Sequence, residues 1–227
     1  MVKLFSRFLT YLRRDERLLL NVVIALIVGY AAISAFVFLL PTETVDIWFT
    51  QGVQRYQAPW LDAFMNGVSW FATIPGGLIT IGTVSIVFMW QRRWLEACFV
   101  ALSLLAVPIV AIVKRLFGRA RPTEDLVRVI KEFHNQSFPS GHVVFYTVLF
   151  GFIAFLMYRS THYKLWVRRL VGWFCIALIL LVPVSRMYLG AHWFTDVSAG
   201  FILGLLLLIG LVEWYSHAKR RRSKATA

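Results

Sequence analysis

Six stretches of the chain are almost continuously apolar, and most of the polar residues collect between them. They run approximately Leu18–Leu40, Val68–Trp90, Leu95–Phe117, Val143–Tyr158, Leu170–Leu189 and Trp193–Tyr215. Crossing the hydrocarbon core of a bilayer takes roughly 20 residues of α-helix, and most of these stretches approach that length. A backbone in lipid must satisfy its own hydrogen bonds, so apolar runs of this length predict helices. The expected fold is all-α, a polytopic membrane protein in which a six-transmembrane-helix bundle forms one domain over residues 1–227. The first stretch reads as a retained span: it exceeds the usual apolar core of a secretion signal, and no small-residue cleavage site precedes Pro41.

The connection between the first two spans, Thr42–Gly67, breaks the simple alternation. Val45, Trp48, Phe49, Val53, Tyr56 and Trp60 recur at three- and four-residue steps, with Asp46, Gln51, Gln54 and Arg55 between them. That spacing predicts a helix lying in the membrane interface, where Trp and Tyr rings are favoured. Packing and anchoring are its expected work.

Composition narrows the class. Hydrophobic residues make up 59% of the 227 and charged residues 15%, against about 45–50% and roughly 25% in soluble domains. A soluble single-core enzyme, a disordered regulator and a coiled coil are excluded. The net charge of +13 raises the question of nucleic acid, but no aromatic-basic module or finger spacing accompanies it. Lysine and arginine in so apolar a chain mark cytoplasmic loops and lipid head-group contacts instead. Sixteen of the 24 fall in the N-terminal segment, at Arg92–Arg93, between Arg159 and Arg169, and in the tail Lys219–Lys224. The positive-inside bias then puts both termini in the cytoplasm, with the connections after spans one, three and five outside. The partners expected are the bilayer and a lipid, with no nucleic acid and no obligate protein. Cys98 and Cys175 lie inside apolar runs and read as buried side chains without a disulfide or zinc role.

Chemistry is concentrated where polar residues interrupt the ends of the spans. Lys114 to Pro122 closes the third, Phe138-Pro139-Ser140-Gly141-His142 precedes the fourth, and Ser185 to Asp196 covers the turn from the fifth to the sixth. Alternating helices bring these ends to one side. Lys114 and Arg121 are seven apart, nearly one stripe if the helix continues between them, although Pro122 disfavours helix past Arg121. Arg115 and Arg119 read as cations snorkelling to lipid phosphates, whereas the deeper Lys114 needs a functional reason. Ser140 suits a helix cap and Gly141 allows an anion to approach exposed backbone N–H groups. His192 and Asp196 are four apart, so on a helix they share a face. A carboxylate on one ring nitrogen fixes the tautomer and leaves the other basic. Arg186 adds a fork suited to phosphate. His134, His162 and His217 sit in polar loops or the tail and read as solvated. Metal binding is not expected, because the site side lacks clustered carboxylates and paired His–Cys spacing.

The ordered set Lys114-x6-Arg121-Pro122, Pro139-Ser140-Gly141-His142 and Ser185-Arg186-x5-His192-x3-Asp196 resembles the three-part signature of the type 2 phosphatidic acid phosphatase superfamily, and every signature position is present. The apolar spans point to its integral-membrane lipid branch. The resemblance implies that His192 attacks phosphorus and forms a phosphohistidine while Asp196 orients it. It implies that His142 protonates the departing oxygen. Lys114, Arg121 and Arg186, with the Ser140 hydroxyl and the Gly141 N–H, would hold the phosphoryl oxygens. No cofactor or metal is called for, since three fixed cations balance a phosphate.

The implied function is a lipid phosphatase of a bacterial plasma membrane with its site outside, resembling the branch that recycles undecaprenyl diphosphate. Phosphatidylglycerophosphate or phosphatidic acid is the alternative substrate. A transporter would place charges near the midplane, whereas here they gather at span ends.

Overall fold

The structure is a computed structural model that describes residues 16–40, 44–131 and 135–225. Four N-terminal cations of the charge count, Lys3, Arg7, Arg13 and Arg14, and also His134, lie outside the described residues. The elements are helices: α1 (Glu16–Leu39), α2 (Thr44–Val53), α3 (Pro59–Ser69), α4 (Ile74–Trp90), α5 (Trp94–Leu102), α6 (Ala106–Phe117), α7 (Gly141–Arg159), α8 (Leu165–Tyr188) and α9 (Phe194–Ala225). Short 3-10 turns, Trp70–Ala72 and Ser103–Leu105, join α3 to α4 and α5 to α6. Among the described residues five helical stretches are long and apolar enough to cross a membrane, six if the bent pair α3–α4 counts as one span.

The expected layout needs correction between the first and third spans. Thr42 lies outside the described residues, and from residue 44 to Gly67 there is not one helix but two, α2 and the start of α3, the second of which leads into the next span. Ala58 precedes proline and is extended (φ −154°, ψ 145°), and Pro59 then opens α3, as the steric restriction before proline and its fixed φ require. The second span is also not straight from Val68: between the arms Pro59–Ala72 and Ile74–Trp90 the axis bends by 60°. At the break Thr73 is extended, and its Oγ1 caps α4 by accepting from Gly76 N at 3.2 Å while donating to Trp70 O at 2.7 Å. Broken helix within a membrane is tolerated where it lines a cavity, and this one does.

Helix α7 is the hub. Its side chains are buried almost without interruption from Val143 to Leu149, on all faces, because α8 and α9 pack against it and α6 closes a third side. Helix α9 comes very near: a Cβ on Gly204 would lie 2.6 Å from Thr147 Cβ. Small residues permit such backbone approach where lipid offers no hydrophobic driving force between helices. Helix α1 is peripheral. It leans on α9 through the small cluster of Val37, Ala199 and Phe138. Cys175 is buried as expected, but Cys98 is exposed on α5, since it points away from the core.

At the far end from the motif residues, Glu96 on α5 accepts from Arg93 (3.0 Å), from Tyr215 (2.8 Å) and from Lys219 (3.1 Å) on α9. This cluster fixes the bundle's other end.

Candidate active site

Three loop ends and one broken helix enclose a cavity of about 820 Å³. Its polar wall is formed by Lys114, Arg121, Gly141, His142, Arg186 and His192. The opposite wall, from the α3–α4 break to α6, is apolar and includes Trp70, Ile74, Leu78 and Val107, all of them exposed on the outer surface. The cavity therefore opens sideways toward the space that lipid occupies.

His192 lies in the turn Leu189–Trp193 between α8 and α9. Gly190 has φ +67°, and a Cβ there would fall 2.2 Å from Arg128 O, so both the left-handed turn and the close loop require glycine. Ala191 N and His192 N donate back to Arg186 O at 3.0 and 3.3 Å. The loop that follows α6, described over residues 118–131, presses on this turn through Ile130 N, which donates to Leu189 O at 3.1 Å. Gln54 at the end of α2 accepts from Arg128 N (3.0 Å) and donates to Arg128 O (2.7 Å), Met187 O (3.2 Å) and Tyr188 O (3.1 Å). Arg128 in turn forks onto Asp62 of α3 at 2.9 and 2.6 Å.

The relation of His192 to Asp196 differs from the expected shared helical face. Helix α9 begins at Phe194, so His192 precedes it, and Asp196 occupies its third position. The carboxylate reaches back as in a capping box: Asp196 Oδ2 accepts from Trp193 N at 2.9 Å and lies 3.5 Å from His192 Nδ1. Ser137 bridges the two, its Oγ 3.3 Å from His192 Nδ1 and donating to Asp196 Oδ2. On the other side of the ring Arg121 Nη1 stands 3.3 Å from Nε2. A guanidinium has no acceptor, so this contact is favourable only when Nε2 holds the lone pair. The proton then sits on Nδ1, facing Ser137 and Asp196.

Helix α6 stops at Phe117 because Gly118 turns left-handed, so Lys114 and Arg121 do not share a helical stripe. They nonetheless meet at the cavity from different backbone segments. Lys114 Nζ donates to Gln136 O and to Ser137 O (3.2 Å). Arg121 Nε donates to Asn135 O at 2.7 Å and Nη1 to Ala191 O at 2.5 Å. Arg186 is buried and donates from Nη1 to Ser69 Oγ at 3.1 Å. Gly141 and His142 form the first turn of α7. Ser140 sits behind them, fully buried, at the cap position but without a capping bond, its Oγ lacking a hydrogen-bond partner among the described residues. Burial and the charges of Arg121, Lys114 and Arg186 push the His192 imidazole well below its ordinary pKa. Burial also brings the Arg121 guanidinium down to about 10, which leaves it charged at neutral pH.

Arg119 departs most from the sequence reading. It does not snorkel to lipid. Its guanidinium is buried, donating from Nη1 to Asp196 Oδ1 (2.5 Å) and Thr195 Oγ1 (2.7 Å) and from Nη2 to Asp46 Oδ2 (2.5 Å). Asp46 and Ser137 were likewise unmarked in the sequence. A usable signal existed for Asp46: with Thr50 and Val53 it lies on one stripe of α2, and Asp46 and Thr50 are the buried residues of that helix, opposite Trp48.

Residues 93–220, more than half the chain, match the model of the PAP2 superfamily. The chain belongs to that superfamily. Among PAP2 relatives, phosphatidylglycerophosphatase B of Bacillus subtilis (strain 168) is 25% identical over 205 residues, spanning 86% of this chain and 100% of that protein. The putative undecaprenyl-diphosphatase YbjG of Escherichia coli (strain K12) is 28% identical over 158 residues, 66% of this chain and 71% of that one. A crystal structure of a transmembrane PAP2-type phosphatidylglycerolphosphate phosphatase from Bacillus subtilis has the same fold, with TM-score 0.77 at 22% identity over 86% of this chain and 96% of that one. This PAP2 protein is a multi-span membrane enzyme, a lipid phosphatase.

Proposed function

We propose that His192 is the nucleophile of a two-step hydrolysis and that the substrate is a polyprenyl diphosphate of the undecaprenyl type. The observation that carries the chemistry is Arg121 Nη1 at 3.3 Å from His192 Nε2, in a cavity shared with Lys114, His142 and Arg186. A phosphoryl group entering there replaces the Arg121–His192 contact and meets the lone pair in line. His192 Nε2 bonds to the terminal phosphorus, and the bridging P–O bond breaks with its electrons leaving on the lipid phosphate oxygen. His142 protonates that oxygen, its charged form favoured by the incoming anion. The Asp196 carboxylate offsets the positive charge growing on the ring, with Ser137 Oγ between it and Nδ1. Water then attacks the phosphorus of the phosphohistidine and gives its proton to His142, while the P–N bond breaks with its electrons returning to His192 Nε2, and inorganic phosphate is released. Lys114, Arg121 and Arg186 hold the oxygens throughout, and the Gly141 N–H at the start of α7 completes the cradle, whereas Ser140, expected to share that role, is buried behind it and does not line the cavity. Three cations match the roughly three negative charges of a diphosphate monoester, so the step needs no metal.

The relative named as an undecaprenyl-diphosphatase supports this substrate. The basic bias supports a bacterial plasma membrane with cytoplasmic termini and an external site. The test is phosphate release by detergent-purified protein from undecaprenyl diphosphate, phosphatidylglycerophosphate and phosphatidic acid. The expected result is fastest turnover on the first, inhibition by vanadate, no loss with chelators, and none left in a folded His192→Ala protein. Preference for phosphatidylglycerophosphate would transfer the substrate assignment to that lipid, and turnover by His192→Ala would remove the mechanism.

A further inference from the structure

We propose that Asp46, on the interfacial helix α2, is a positioning residue for phosphoryl transfer, acting through Arg119 on the carboxylate that holds His192. The inference rests on His192 being the nucleophile. Asp46 is fully buried, Asp196 equally so, and Arg119 lies between them. The guanidinium divides itself, one nitrogen to each carboxylate at 2.5 Å. Thr195 closes the ring, donating from N to Asp46 Oδ1 at 2.8 Å and from Oγ1 at 3.0 Å. A second grip keeps α2 in register with α9: the Phe49 and Phe194 rings stack at 4.0 Å and 11°.

Charge arithmetic says what this arrangement does. Two carboxylates sharing one guanidinium leave one net negative charge beside His192. Among the described residues, the other ionisable groups facing that ring are basic: Lys114 from α6, Arg121 from the loop, His142 from α7 and Arg186 from α8. Without Asp46 the whole pull of Arg119 falls on Asp196, which then binds the Nδ1 proton less firmly and offsets less of the charge on the phosphorylated ring. Burying three charged groups is costly unless they are mutually paired, and a neutral cap on Thr195 N would hold α9 equally well. A purely structural Asp46 thus has no need of its charge.

Asp46→Asn separates the two roles, since the amide oxygen still accepts from Thr195 N but the charge is gone. A folded Asp46→Asn enzyme is expected to lose about 10- to 100-fold in kcat with KM changed by less than about 3-fold. Removing a negative charge disfavours the protonated imidazole, so the acid limb of its kcat/KM profile moves down by about one pH unit. The substrate's own ionisation is common to both enzymes and cancels. In an Arg119→Gln background the same substitution adds little, because the two act as one unit. Asp46→Glu, which keeps the charge, returns the limb toward its original position. Wild-type kcat and an unmoved limb in Asp46→Asn overturn the proposal, as does a loss confined to thermal stability. If Asp46→Asn does not fold, Arg119→Lys decides: it keeps the charge without the fork, and wild-type kinetics there overturn the proposal equally. His192→Ala is run alongside. If it still turns over, the nucleophile assignment fails. If it is inactive while Asp46→Asn behaves as wild type, only the role of Asp46 fails.

Discussion

His192 works in surroundings that refuse a proton. Its ring is buried beside Arg121, Lys114 and Arg186, and all four influences lower its pKa. A free imidazole is half protonated near pH 6.5; His192 is expected to be neutral there and to lose its lone pair only as pH falls through the depressed value. Nitrogen-15 histidine spectra at pH 6.5 check this, and a half-protonated signal assigned to His192 would contradict it. The sign for stability follows. The unfolded chain takes up a proton below about pH 6.5 that the native ring declines, so this residue erodes stability on the acid side. At this scale fixed spacing anticipated which residues meet at one cavity, His142, His192, Lys114, Arg121 and Arg186, with Asp196 behind His192. Arg119 was opaque because a cation at the end of a span reads the same whether it faces lipid or a buried carboxylate. Only the direction in which α2 turns Asp46 distinguishes them.

Among elements, the loop segment from Gly118 to Lys131 and the turn carrying His192 form one unit, and Gln54 is its fastener. The side chain bonds four backbone groups across α2, the loop and the end of α8. Gln54→Leu leaves those groups without it in a buried position, a cost of about 1–3 kcal/mol for each group that finds no substitute. The expected outcome is a lower Tm in detergent together with reduced kcat; an unchanged Tm would mean the loop is held elsewhere. The bounds of the first, third and fourth spans were legible from apolar runs to within two residues, whereas α8 begins five residues before Leu170 and α9 continues ten residues past Tyr215, as helix that carries polar residues beyond the apolar run. The segment from Thr42 to Trp90 was not legible, because two prolines and Thr73 break a pattern whose hydrophobic period continues through them. Periodicity reports which side is apolar, and it does not report where the axis bends.

For the whole molecule, helix direction puts the loop at Thr123 and the tail at Ser223 on opposite ends of the bundle. With the site external, a membrane-impermeant maleimide is expected to label Thr123→Cys in intact cells and Ser223→Cys only after lysis. The reverse pattern would invert the proposed orientation. The two native cysteines sit within spans, Cys98 on α5 and Cys175 on α8, where such a reagent has little access. The sideways mouth between α4 and α6 has a kinetic corollary. A lipid that enters through Ile74, Leu78 and Val107 need never dissolve in water. The enzyme then senses how crowded its substrate is among neighbouring amphiphiles, as a mole fraction in two dimensions. Extra inert detergent would slow it by surface dilution even when the amount of substrate per millilitre stays the same.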